Sequence, residues 1–205
     1  MTARRTATFF MRCLLLNITF QAIALSAFPQ LDSANKSFVY TILRREPGSD
    51  SIRYTDQIKA VTDFSFTENF KNSSIIGYDF SKKSKVNIKL SKKENAQLRK
   101  ELRNFYGVRW RDSLFTNSRM IPADSMWSTI SKGIRFAFAV NPNADYMSYS
   151  TVFQFSKPIF LRNRSIAIFY FLRLCSSQCG VEDFSVYKLD NGEYKRWLIL
   201  SGRAF

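Results

Sequence analysis

Histidine does not occur anywhere in the 205 residues, and its absence removes several chemistries together. Imidazole acid–base catalysis, histidine-based triads and histidine-containing zinc sites all require a side chain that is missing. No glycine-rich phosphate loop and no G-x-S-x-G elbow is present either. Internal repeats and low-complexity tracts are absent. Acid is scarce, with 16 Asp and Glu against 31 Lys and Arg. An enzyme built on this chain has only carboxylates, lysines, hydroxyls and tyrosines to work with. No cofactor-binding pattern stands out.

What is present is a strongly organised N-terminus. The opening "MTARRTATFFMRCLLLNITFQAIALSAFPQ" places Arg4, Arg5 and Arg12 ahead of a mostly apolar stretch from Cys13 to Phe28. Small residues follow at Ala24, Ser26 and Ala27. Charged head, short apolar core and small-residue end are the order of a secretory signal. The apolar core is shorter than the roughly 20 residues a spanning helix needs. We therefore expect residues 1–26 to be a signal peptide, cleaved after Ser26 or after Ala27, with an uncleaved anchor or buried helix as the alternative. The expected location is outside the cytoplasm, periplasmic or extracellular. Removal of the three arginines lowers the excess positive charge from 15 to 12. A balance of that sign favours anionic partners, without bearing on fold.

The rest, 27–205, reads as a single α+β domain. Aromatics are 16% of the residues and apolar residues 45%, too rich for disorder. Residues 28–37 read as a polar lead-in. "FVYTILRR" (38–45) is expected to be a helix capped by Ser37 and ended by Pro47-Gly48. Residues 49–80 fit both strand and loop. Val86, Ile88 and Leu90 alternate with polar residues, as in a half-buried strand. Ser91 and Glu94 then form a capping box, and Leu98, Leu102 and Phe105 a helical stripe, stopped by Gly107. Residues 107–147 read as turns and short segments. From about 149 to 200 the chain is β, with strands at 149–156, 165–174, 184–189 and 193–200. Asn191-Gly192 marks a tight hairpin. The expected architecture is a helix-bearing N-terminal half packed on a C-terminal antiparallel β-meander.

Cys175 and Cys179 fall in the turn between two of these strands. Two thiolates without histidine are too few for structural zinc, and a redox pair would show C-x-x-C at a helix start. Export discards Cys13 and leaves an even pair in an oxidising compartment. A disulfide is expected, with two free thiols as the alternative.

The stretch from Phe155 to Trp197 resembles the C-terminal module of uncharacterised exported proteins common in Bacteroidota. The resemblance is carried by Ser156, Lys157, Pro158, Ile159, Phe160, Ala167, Cys175, Cys179, Gly180, Asn191, Gly192 and Trp197. Upstream, "IKLSKKENAQL" and "DSMWSTI" fit more loosely. Ser176 stands where the family has glycine, and Trp197 lies several residues beyond Gly192. The resemblance implies export and the α+β fold; it carries no activity.

The densest charge runs from 82 to 111. Lys82, Lys83, Lys85, Lys89, Lys92, Lys93, Arg99, Lys100 and Arg103 make the candidate polyanion-binding set, continued by Arg109 and Arg111. Phosphate-rich polymers or anionic lipid heads are the partners such a surface fits, although no nucleic-acid motif accompanies it. The plain alternative is a solvated face. Phe105, Tyr106 and Trp110 interleave the run and are expected to fill the core, with stacking on bases as the alternative. Asp145, Glu182, Asp183, Asp190 and Glu193 are the carboxylates a sugar-cleaving pair would draw on. The leading expectation is an exported non-catalytic structural or interaction domain. Anion binding through 82–111 and a carboxylate-based hydrolase are the alternatives.

Overall fold

The computed structural model describes residues 31–58, 69–70, 72–103, 105, 108–143 and 145–204. The expected signal 1–26 with its cleavage points, Tyr106 and Gly107 lie outside the described residues.

Helix α1 runs Ser33–Leu43, five residues ahead of the expected start. Asp32, not Ser37, is the cap: its Oδ1 accepts the Asn35 N–H at 2.7 Å. That bond satisfies a donor the first turn leaves open, so helix replaces most of the expected polar lead-in. Phe38, Val39, Ile42 and Leu43 form the buried stripe of α1.

The described strands are β1 Ile52–Thr55, β2 Ser74–Asp79, β3 Ser84–Lys89, β4 Ser118–Ile121 and β5 Val152–Phe155. After them come β6 Ile159–Leu161, β7 Ile166–Ser176, β8 Cys179–Asp190 and β9 Glu193–Ala204. They form one sheet in the order β3-β2-β9-β8-β7-β5-β1-β4, with β6 also on β7. The class is α+β, and the C-terminal strands form the antiparallel meander. The sheet also recruits the N-terminal half. β2 and β3 extend it beyond β9, while β1 lies parallel to both β4 and β5.

β7 explains the long apolar run at 165–174. Ala167, Phe169 and Phe171 join Phe38, Val39, Ile42 and Leu43 of α1 in one cluster. Ile166, Ile168 and Tyr170 join Leu98 in another. A strand covered on both faces needs apolar residues at successive positions. Phe38 anchors α1, meeting Phe160, Phe169, Tyr187 and Tyr194 edge-to-face at 4.9–5.6 Å. The turn after β8 is the expected hairpin, with Asn191 and Gly192 at φ 49° and 82°, the signs a type I′ turn requires.

Two further elements differ from expectation. Helix α3, Met126–Val140, fills a stretch expected to be turns and short segments; helix α2 precedes it at Lys92–Arg103. Met126 and Ile130 of α3 pack on Val152 and Leu174, the sheet face that α2 also covers. Gly133 sits mid-helix because a Cβ there would lie 2.2 Å from the Tyr149 carbonyl oxygen. The expected strand 149–156 begins instead as a helical turn, α4 Met147–Ser150. Asp145 accepts the Met147 N–H at 3.0 Å and the Ser150 hydroxyl donates back to Tyr146 O at 2.9 Å. These local bonds outcompete the ladder until Val152.

Candidate functional site

The β2–β3 hairpin lies at one end of the sheet, with β3 as the edge strand. Its turn is organised by Asp79, whose Oδ1 accepts the Ser81 hydroxyl, the Ser81 N–H and the Lys82 N–H at 2.6, 2.9 and 3.2 Å. The Ser81 hydroxyl is the chief reason the Asp79 carboxyl sits below the usual carboxylate range. A side chain that imitates a backbone turn in this way fixes the loop.

This fixed turn carries two exposed rings. Tyr78 is 37% and Phe80 66% accessible, and they meet edge-to-face with centroids 5.0 Å apart. Lys85 lies directly across the ladder from Tyr78. Lys82 and Lys83 follow Phe80 and are exposed. Rings and cations therefore share the hairpin end.

The other predicted cations divide around it. On β3, Lys85 and Lys89 alternate with Val86 and Ile88, and Ile88 enters the cluster that holds Leu98 of α2. The two lysines consequently sit on the face of the sheet away from α2. Lysines on an edge strand also hinder pairing with another chain. Helix α2 begins with the expected capping box: Ser91 N–H donates to Glu94 Oε2 at 2.8 Å, and Glu94 N–H to Ser91 Oγ at 3.2 Å. The Ser91 N–H first, then the Ser91 hydroxyl and Arg162, hold the Glu94 carboxyl below its ordinary range. Lys92, Lys93, Arg99, Lys100 and Arg103 line the exposed side of α2. The nine cations thus wrap the sheet edge from both sides instead of forming one flat patch. Among the described residues none of the nine makes an ion pair.

Phe105 and Trp110 are not part of this surface. They are 2% and 3% accessible, and Trp110 Nε1 donates to Phe155 O at 3.0 Å while its ring stacks on Phe155. Both are core residues, which removes the base-stacking alternative for them. The exposed rings beside the lysines are Tyr78 and Phe80, absent from the candidate set. Their signal was available: in "GYDFSKKSK" two aromatics at i and i+2 precede three lysines.

Cys175 and Cys179 form a disulfide, with Cα atoms 5.2 Å apart. It closes the turn between β7 and β8, and the Ser150 hydroxyl, 2.9 Å from both Tyr146 O and Cys175 O, shares its one proton between them.

The five carboxylates singled out by sequence are each engaged. Glu182 accepts from Tyr170 Oη at 3.1 Å and Arg203 Nε at 2.8 Å. Its neighbour Asp183, on the opposite sheet face, accepts from Arg196 Nη1 at 2.7 Å and from the Ser185 hydroxyl. Asp190 pairs with Lys195, Glu193 with Arg45, and Asp145 caps α4.

Among the described residues no group of three metal-ligating side chains forms, and no helix is long and apolar enough to cross a membrane. Comparison of the chain with protein-family models, curated proteins and solved structures finds no match.

Proposed function

We propose that the chain is an exported, non-catalytic interaction domain that docks on anionic lipid surfaces through the β2–β3 hairpin. The observation that carries this reading is the exposed Tyr78–Phe80 pair on a turn fixed by Asp79, beside three lysines that make no ion pair among the described residues. An aromatic side chain with its ring in water gains on entering an apolar layer, and lysines beside it gain from phosphate headgroups. The cations of α2 add to the same attraction. Tyr78 and Phe80 meet edge-to-face, which does not give the open stacking platform single-stranded nucleic acid uses. The disulfide is compatible with export, and the resemblance to exported proteins supports it.

The test is binding of the protein to phosphatidylglycerol vesicles, phosphatidylcholine vesicles and duplex DNA. Phe80→Ser is expected to lower affinity for the anionic vesicles about tenfold, the worth of burying much of one aromatic side chain. Affinity for phosphatidylcholine is expected to be weak throughout. Tighter binding to DNA than to anionic vesicles, or no effect of Phe80→Ser, contradicts the reading.

A further inference from the structure

At the opposite end of the sheet, two arginines stand side by side. Arg53 on β1 and Arg119 on β4 are register partners on adjacent parallel strands. Both sit on the sheet face that α3 covers, because their neighbour in the ladder, Ile121, packs with Met126 and Ile130 of α3. Like charges directly opposite one another destabilise a sheet. Asp112, whose carboxyl the Arg119 charge helps hold below its ordinary range, lies near Arg119, but among the described residues neither arginine forms an ion pair.

Arg53 is half-buried and is held in place by backbone carbonyls. Its Nε donates to Thr151 O at 3.1 Å and its Nη2 to Ser148 O at 2.8 Å. Its Nη1 has no partner among the described residues. Burial first, then the Arg119 charge, pushes the Arg53 guanidinium below its ordinary pKa. Arg119 and Lys132 are exposed, and neither makes a hydrogen bond or ion pair among the described residues. Arg53 is therefore held by carbonyl oxygens alone, next to a second guanidinium.

A cleft of about 490 Å³ opens between these strands and α3. Arg53, Arg119 and Lys132 line it, with no aspartate or glutamate on its wall. Ser125, which makes no capping bond, and Thr129 add hydroxyls. Phe136 and Tyr149, with ring centroids 5.5 Å apart, form an aromatic part of the wall. The volume falls within the roughly 300–1,000 Å³ that small organic ligands fill. Guanidinium groups suit the planar or tetrahedral oxygens of carboxylate and phosphate.

We propose that this cleft binds a small organic oxyanion, a phosphomonoester or carboxylate carried on an aromatic body. The oxyanion sits between Arg53, Arg119 and Lys132, and the ring lies against Phe136 and Tyr149. This site is independent of the hairpin, at the far edge of the sheet.

Calorimetric titration of the full chain with inorganic phosphate, phenyl phosphate and benzoate tests it. Phenyl phosphate is expected to bind more tightly than inorganic phosphate. Arg119→Ala and Lys132→Ala, exposed positions whose loss leaves the fold intact by circular dichroism, are each expected to weaken binding about tenfold or more. Arg119→Glu is expected to abolish binding, because it puts a carboxylate where the oxyanion would sit. Absence of binding by all three probes in the millimolar range overturns the proposal. So does binding by Arg119→Ala and Lys132→Ala at wild-type strength.

Discussion

The two edges of the sheet carry charge of the same sign in opposite ways. At the β3 edge, lysines extend into water from a hairpin and a helix, without ion pairs among the described residues and screened by solvent. At the β4 edge, Arg53 is half-buried, anchored to the carbonyls of Ser148 and Thr151, and set beside Arg119 under α3. Exposed cations interact weakly one at a time and act by number. A cation drawn out of water acts strongly and within reach of a defined partner. The difference separates a diffuse cationic surface from a shaped pocket.

If the edges differ in charge setting and not in packing, the largest effects fall equally on both. Leu98 of α2 and Ile130 of α3 are each 1% accessible, one anchoring the helix at each end. Leu98→Ala and Ile130→Ala are each expected to cost about 2–5 kcal/mol in urea denaturation. Leu98→Ala is expected to damage vesicle binding and Ile130→Ala the oxyanion cleft. Equal damage to both functions from either change breaks the comparison.

The disulfide belongs to the β4 side, since Cys175 O receives the Ser150 hydroxyl and Ser150 ends the helical turn that holds Arg53. Replacing Cys175 and Cys179 together by serine is expected to cost roughly 2 kcal/mol, the loop being short. Thermal unfolding with and without reductant checks this, because reduced wild type and the double variant should melt together.

A smaller effect sharpens the β3 side. Glu94 closes the capping box of α2, and Glu94→Ala is expected to cost about 1 kcal/mol at neutral pH. Its folded pKa is depressed, so the folded state binds the proton less readily than the unfolded chain. The stabilisation is therefore complete above the ordinary glutamate pKa of about 4.3 and is lost as pH falls through the depressed folded value. Denaturation curves of wild type and Glu94→Ala should differ at pH 7 and approach one another in strong acid.

The two edges also differ in how far they can be read from sequence. At the β3 end the signals are local. Ser91 and Glu94 lie three apart, the strand alternates, and Asn191-Gly192 marks a turn by its own backbone demands. The disulfide follows from two cysteines four apart and an expected compartment. At the β4 end the determining contacts are distant. Gly133 weakens the helical signal of 126–140, and its reason, the Tyr149 carbonyl against α3, appears only after folding. Arg53 and Arg119 are 66 positions apart in number and become neighbours through a parallel pairing that no turn announces. Parallel strands need long crossovers, and sequence periodicity is blind to them. Tyr78 and Phe80 stand just ahead of the basic run, whereas Phe105 and Trp110 inside it are buried.

The most direct test of the docking account is the salt dependence of phosphatidylglycerol vesicle binding, measured between 50 and 200 mM salt. The proteins compared are wild type, the triple variant Lys82→Ala, Lys83→Ala and Lys85→Ala, and Arg119→Ala. The account predicts that the triple variant binds about a hundredfold more weakly at low salt, from roughly 1 kcal/mol per lysine, with a flatter salt dependence. It predicts that Arg119→Ala follows wild type. A triple variant that binds like wild type, or an Arg119→Ala that loses as much, would contradict it.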